Sequence, residues 1–177
     1  MLGQLSARLP DVEVQVGSAE AIPLADVSVD AVVAGQAAHW FDPAPAAAEM
    51  RRVLRPGGVV GLVWNARDTR VPWVAALDGM VTEESRDRAD DRRAVDDLAR
   101  LLPAVVDRFE SGLVQTVTPE QVVRGIGTRS YAATMDADRR AAFLARVRVL
   151  LETHPDTRGR DLLELRYRTV AHRLTPR

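Results

Sequence analysis

The chain has 177 residues, 46% of them hydrophobic and 28% charged, with a formal net charge of −1. That composition suits one ordinary domain able to bury a core, and the near-zero charge excludes a global electrostatic draw toward nucleic acid or anionic membrane. Cysteine is absent, which removes disulfides, thiolate metal sites and cysteine nucleophiles together and suits a reducing cytoplasm. No run approaches the ~18 apolar residues of a spanning helix, and Met1 to Pro10 lacks the basic opening and apolar core of a signal peptide. The clusters Arg51-Arg52-Arg55, Arg139-Arg140 and Arg166-Arg168 are interleaved with acids and read as solvated faces. His154 and His172 lack partners at ligand spacing, so no metal site is expected.

Leu2, Leu5 and Leu9 recur at helical spacing, and Pro10 closes that helix. Val12, Val14 and Val16 alternate with Glu13 and Gln15, a half-buried strand pattern. Gly17-Ser18 turns the chain, Ile22-Pro23-Leu24 forms a loop, and Val29 to Ala34 predicts a more buried strand. Asp42 and Pro43 open a helix as N-cap and first helical residue. Ala47, Met50 and Leu54 share its apolar face, and Pro56-Gly57-Gly58 stops it before a strand over Val59 to Trp64.

Helical spacing returns over 72–86. The highly charged stretch 83–97 predicts an exposed helix or a mobile loop, and 94–102 continues helically. Phe109 to Val117 resembles a strand. Thr118-Pro119-Glu120-Gln121 carries a capping-box helix start. Asp136 caps a helix over 137–153. Leu163, Leu165 and Tyr167 alternate with charged residues and predict an exposed or edge strand.

Several segments in order carry a family resemblance: Gly17-Ser18-Ala19-Glu20-x-Ile22-Pro23-Leu24, Ser28-Val29-Asp30-Ala31-Val32, and Arg52-Val53-Leu54-Arg55-Pro56-Gly57-Gly58. Together with His39-Trp40-Phe41 and Trp64-Asn65-x-Arg67-Asp68, they resemble the class I S-adenosylmethionine-dependent methyltransferases, specifically the type-11 methyltransferase-domain family. The likeness is densest over residues 1–68; Ser130-Tyr131 and Leu165-x-Tyr167-Arg168-Thr169 match more loosely. The fold implied is α/β: an incomplete Rossmann-like sheet with flanking helices, a helical insertion and a C-terminal α+β segment. As one methyltransferase-like domain, 1–68 is the later part of the cofactor-binding core, 69–105 the charged helical insertion, and 106–177 the C-terminal strands and helices.

The resemblance also assigns roles. Gly17, Ser18, Ala19 and Glu20 would form the adenine loop of S-adenosylmethionine, with Ser18 standing where the family usually has Asp. Gln36 would lie beside the methionine part. His39 and Trp40 would face a small-molecule methyl acceptor, with His39 a candidate general base or a residue that shapes the site. Trp40 and Phe41 are either pocket wall and core or cation–π partners of the sulfonium. Glu20 either orients the loop or stabilises it, and Glu49 with Arg52 reads as a structural pair. Asn65 and Arg67 either bind an anionic acceptor or cap the surface.

The family's opening strand, its glycine-rich turn, and the acid that grips the ribose have no counterpart in this sequence. The expectation is therefore a methyltransferase cut off at its amino end and weak or inactive as it stands. The alternative is a non-catalytic remnant or interaction module. The family order 3-2-1-4-5-7-6 without strands 1 and 2 leaves an exposed edge, through which a homodimer would pair.

Overall fold

The computed structural model describes residues 2–84 and 91–177. Its sheet holds β1 (Val29–Gly35), β2 (Leu54–Arg67), β3 (Ala104–Val117) and β4 (Leu163–Pro176), in the order β1-β2-β4-β3. That is the 4-5-7-6 half of the expected order, so the fold class anticipated from the sequence is observed. The chain divides into two compact units, Met1–Trp64 with Asp90–Phe109 and Ala171–Arg177, and Asn65–Ala89 with Glu110–Val170.

In the first unit β1 and β2 are parallel, with Val32 opposite Val60 and Ala34 opposite Leu62. Alternation along β2 sends Val60, Leu62 and Trp64 to one face, where they pack with Met50 and its neighbours on α2 (Pro43–Val53). Val95 and Leu98 of α4 (Asp91–Leu101) close the same core. On the other face Ala31 is exposed, Val33 is 70% exposed, and Val59, Gly61 and Val63 are only half covered. Parallel pairs are ordinarily covered on both faces. This pair is covered on one.

The Pro56-Gly57-Gly58 segment, expected to stop the helix, lies inside β2 instead. Helix α2 ends at Val53 and Leu54 already pairs with Val29, while the next pair is Ala31 with Val59. The extra residues form a bulge. Gly57 sits at φ +82°, and a Cβ on Gly58 would lie 3.0 Å from the Asp30 carbonyl oxygen, so both positions need glycine.

A polar lock ties the loop before β1 to α2. Arg52 donates from Nε to Glu49 Oε1 at 2.7 Å and from Nη2 to Glu49 Oε2 at 2.7 Å. The same guanidinium reaches the Ile22 carbonyl at 2.9 Å, the Leu24 carbonyl at 2.7 Å and Asp26 Oδ1 at 2.7 Å. Ile22 N–H returns a bond to Glu49 Oε2 at 2.8 Å. The pair expected from i,i+3 spacing is thus the hub of a loop anchor.

One further expectation for this unit fails. Val12 to Val16 is not a strand; Val12 is 48% and Val16 84% exposed. An alternating pattern specifies a face but needs a neighbour to pair with, and β1 makes its ladder with β2. Helix α1 (Leu2–Arg8) forms as anticipated but buries no residue.

In the second unit the predicted edge strand β4 is central, between β2 and β3. The Asp68 N–H donates to the Arg166 carbonyl at 2.9 Å on one side, and Arg168 meets Glu110 at 2.8 Å on the other. Leu163 and Leu165 are buried against α3 (Pro72–Glu84), α5 (Pro119–Gly127) and α7 (Ala137–Thr153) through Trp73, Leu77, Ile126 and Phe143. The charged residues between them suggested an edge because one face of β4 alone is apolar. Thr118 closes the expected capping box with Gln121, and Asp136 accepts the Arg139 N–H. Of the charged stretch, 91–101 is helical, and 85–90 lies outside the described residues.

The Arg52 bonds, with help from the Ile22 N–H, pull the Glu49 carboxyl from its ordinary 4.5 to about 2. A lowered folded value means the stabilisation is fully present above 4.5 and fades as pH falls toward 2. Acid titration of the wild type and Glu49→Gln, followed by circular dichroism, is expected to show the variant losing less stability across that window. Arg52→Ala is expected to lower the melting temperature more than Arg55→Ala, whose side chain makes only a surface pair with Asp30.

Candidate functional site

A cavity of about 650 Å³ opens in the first unit between the Gly17–Leu24 loop, β1 and the start of α2. Gly17, Ser18, Ala19, Glu20 and Trp40 all line it; Gln36 and His39 do not. Ile22, Leu24, Val32, Phe41 and Met50 complete its apolar walls. Phe41 was expected as pocket wall or core; Ile22, Leu24, Val32 and Met50 were missed as wall because they looked like ordinary loop and core, and adjacency to the loop was the available signal.

The loop is held tightly. Ser18 and Ala21 exchange backbone hydrogen bonds of 3.4 and 3.2 Å. Glu20 Oε1 accepts the Asp42 N–H at 3.0 Å, so Asp42 occupies the N-cap position of α2 with its side chain making no capping bond. That amide, then Glu20's own N–H and the Ser18 hydroxyl, hold the Glu20 carboxyl below its usual range. The Ala19 N–H has no hydrogen-bond partner among the described residues.

Gln36 follows β1 at φ +55°, the left-handed region that non-glycine residues enter at a cost, and its N–H is anchored on the Val63 carbonyl at 2.9 Å. His39 and Trp40 lie on a short 3₁₀ turn, Ala38–Trp40. Trp40 is 68% exposed, whereas the His39 side chain is 13% exposed. His39 Nδ1 lies 3.2 Å from Asp91 Oδ1 and 3.4 Å from Trp64 Nε1. The two contacts favour opposite states of Nδ1: protonated it donates to the carboxylate, bare it accepts from the indole. Across the indole, His172 meets Trp64 edge-on, and burial lowers its imidazole's affinity for a proton.

Asn65 and Arg67 belong to the second unit. Asn65 Oδ1 accepts the Thr169 hydroxyl at 2.7 Å. Arg67 is 11% exposed and paired with Asp78 at 3.0 Å. It lines a separate cavity of about 540 Å³ between β3, α5 and β4. The sequence reading did not single out Gln121, Arg124, Arg129 or the other lining residues there, because helix-surface polar residues carry no motif. Among the described residues no group of three or more His, Cys, Asp or Glu is placed to hold a metal ion, and no helix is long and apolar enough to cross a membrane.

Against known proteins, a model of the methyltransferase domain matches residues 1–62. An uncharacterised methyltransferase of Mycobacterium tuberculosis is 43% identical over 175 residues, covering 99% of this chain and 70% of the relative. An uncharacterised methyltransferase of Schizosaccharomyces pombe is 53% identical over 74 residues, 42% of this chain and 30% of that protein. Among solved structures, an Anaeromyxobacter dehalogenans protein assigned as a type II methyltransferase superposes with a TM-score of 0.62 at 26% identity, covering 92% of this chain and 70% of that one. The YcgJ protein of Bacillus subtilis shares the fold, with a TM-score of 0.54 at 17% identity over 100% of this chain and 79% of its own.

The chain belongs to the type-11 methyltransferase-domain family of class I methyltransferases. The cofactor of that family is S-adenosylmethionine.

The backbone at Gly17 tests how rigid the first cavity is. A Cβ there would lie 2.6 Å from Pro23 Cδ, and a proline ring cannot swing aside. Gly17→Ala is expected to displace the loop, read as faster amide exchange at Ala21 and Ile22, with exchange in α7 unchanged.

Proposed function

We propose that this chain contributes the adenine and acceptor sides of a methyltransferase site acting on a small molecule. The observation that carries the reading is the 650 Å³ cavity walled by the Gly17–Leu24 loop, with the Ala19 N–H left without a partner. Such a cavity, mostly apolar with a few polar groups, is the usual form of a cofactor site. The residues present fit the adenine end. Ser18 donates its hydroxyl hydrogen to Glu20 and keeps lone pairs to accept from an exocyclic amine. Gly17 lets the loop pass close to Pro23, and Glu20 fixes its far end on α2.

Bound S-adenosylmethionine supplies an electrophilic methyl on a positively charged sulfur. The protein's part is then approach and alignment. In this reading Gln36, held in its strained backbone, lies toward the methionine part, and Trp40 offers an exposed ring to the acceptor. His39 serves as base: with Nδ1–H directed at Asp91, Nε2 carries the lone pair that takes the acceptor's proton. The acceptor-binding role that the family resemblance implies for Asn65 and Arg67 stays an expectation about the second unit by itself. No glycine-rich turn and no ribose-gripping acid occur within these 177 residues, so the chain alone is expected to bind the donor weakly and to turn over slowly.

Calorimetric titration of S-adenosylmethionine into the chain tests this. The expected Kd is on the order of 0.1–1 mM, with Ser18→Asp tightening it about tenfold through a charge-assisted bond to the amine. Micromolar binding by the wild type would overturn the expected weakness. No heat from either protein would remove the donor reading for this chain.

A second reading, pairing of this chain with a second copy at β1, is favoured by the place of β1 at the end of the sheet order and by the 70% exposure of Val33 beside that edge. Sedimentation velocity is expected to show a concentration-dependent dimer that Val33→Lys dissociates. A monomer at all concentrations would exclude it.

A further inference from the structure

We infer that the 540 Å³ cavity of the second unit is a binding site for a small carboxylate with an apolar body, separate from any methyl-donor site. Arg67, Arg124 and Arg129 line it, and among the described residues no acidic side chain does. Arg67 is already neutralised by Asp78 at 3.0 Å. Arg124 and Arg129 differ: neither side chain makes an ion pair or hydrogen bond among the described residues, although acid-paired arginines are common elsewhere in the chain. The cavity therefore carries two uncompensated guanidinium charges, and the planar fork of donors on each matches a carboxylate.

One buried atom of a lining residue bears on this. Arg67 Nε is shielded from solvent without a well-formed hydrogen bond among the described residues, although the Arg67 side chain also reaches the phenol of Tyr131, which does not line the cavity. Such atoms are costly to leave unmatched, and Arg67 Nε can only donate. The charged groups of the lining are all donors, so their complement is an acceptor.

The rest of the lining sets the ligand's body. Val117, Val122, Ile126 and Leu165 are buried, and Gln115 and Gln121 lie among the polar lining. An inorganic anion would satisfy the arginines but leave the small accessible part of these side chains in water, whereas an aromatic or branched aliphatic carboxylate covers it. The volume is in the range of small-molecule sites. The inference does not depend on methyl transfer, since every residue it uses lies in the second unit.

The test is an NMR titration of the whole chain, without S-adenosylmethionine, using benzoate, benzyl alcohol and inorganic phosphate as separate probes. Benzoate is expected to shift amides of α5 and β3 and to bind at least about tenfold tighter than either other probe, one lacking the charge and the other the apolar body. The variant Arg124→Gln/Arg129→Gln is expected to weaken benzoate about tenfold while leaving signal dispersion unchanged, since both side chains are exposed. Conservative Arg129→Lys is expected to keep most of the binding. Equal binding of benzyl alcohol and benzoate, phosphate binding as tightly as benzoate, an unaffected double variant, or no shift in α5 at the probe's solubility limit would each overturn the proposal.

Discussion

The Glu49–Arg52 pair fixes the part of the first unit on which its cavity depends. One guanidinium and one carboxylate, three residues apart on α2, gather the carbonyls of Ile22 and Leu24, the Asp26 carboxylate and the Ile22 amide. A loop without regular structure must find partners for its backbone groups somewhere, and here it finds them on a helix face. The Val27 and Ser28 amides add bonds to the Arg52 and Val53 carbonyls, although Val27 has to adopt φ +53° to do so. A β-branched residue in that region is unusual. Its persistence shows that the surrounding bonds over-determine the loop.

From that anchor the cavity follows. Holding Ile22–Leu24 against α2 carries Gly17 to Glu20 alongside, and Glu20 closes the arrangement by accepting the Asp42 amide at the first turn of α2. The helix start that sequence assigns to an aspartate cap is served by a glutamate from another segment. Cap position is a local property, readable from Asp42-Pro43. The identity of the group that satisfies the free amides is tertiary, and no spacing rule contains it.

The same division explains what else was legible. β1, β2 and the helices α2, α5 and α7 announced themselves through apolar periodicity, a proline or capping residue at the start, and a change of period at the end. Glu49 and Arg52 were readable as a pair because helix geometry alone brings i and i+3 together. The site residues carried by motif, Gly17 to Glu20 and Trp40, do line one cavity, whereas Arg67 lines another and the wall residues Val32 and Met50 gave no sign of themselves. Val12 to Val16 and Leu163 to Tyr167 mark the limit. Both show clean alternation, which reports that one face is apolar. It does not report how many neighbours a strand has, so one segment joins no sheet among the described residues and the other lies in the middle of the sheet.

What each cavity can hold is decided by the groups its own unit leaves unmatched. In the first, the acidic side chain nearest the loop is occupied: Glu20 already accepts an amide and a hydroxyl. Glu13, on the rim, accepts from the Gln15 side-chain amide, which leaves a backbone N–H at Ala19 and the lone pairs of Ser18 as a neutral donor–acceptor pair beside apolar walls, the complement of an uncharged heteroaromatic edge. In the second, Asp78 neutralises Arg67, yet the Arg124 and Arg129 guanidinium groups have no acceptor among the described residues. The balance there is positive, and a neutral ligand would leave it so. Two cavities of similar volume thus differ in kind because of how far internal pairing has gone, and a neutral ring in one and an anion in the other is the pairing that leaves fewest polar atoms without a partner.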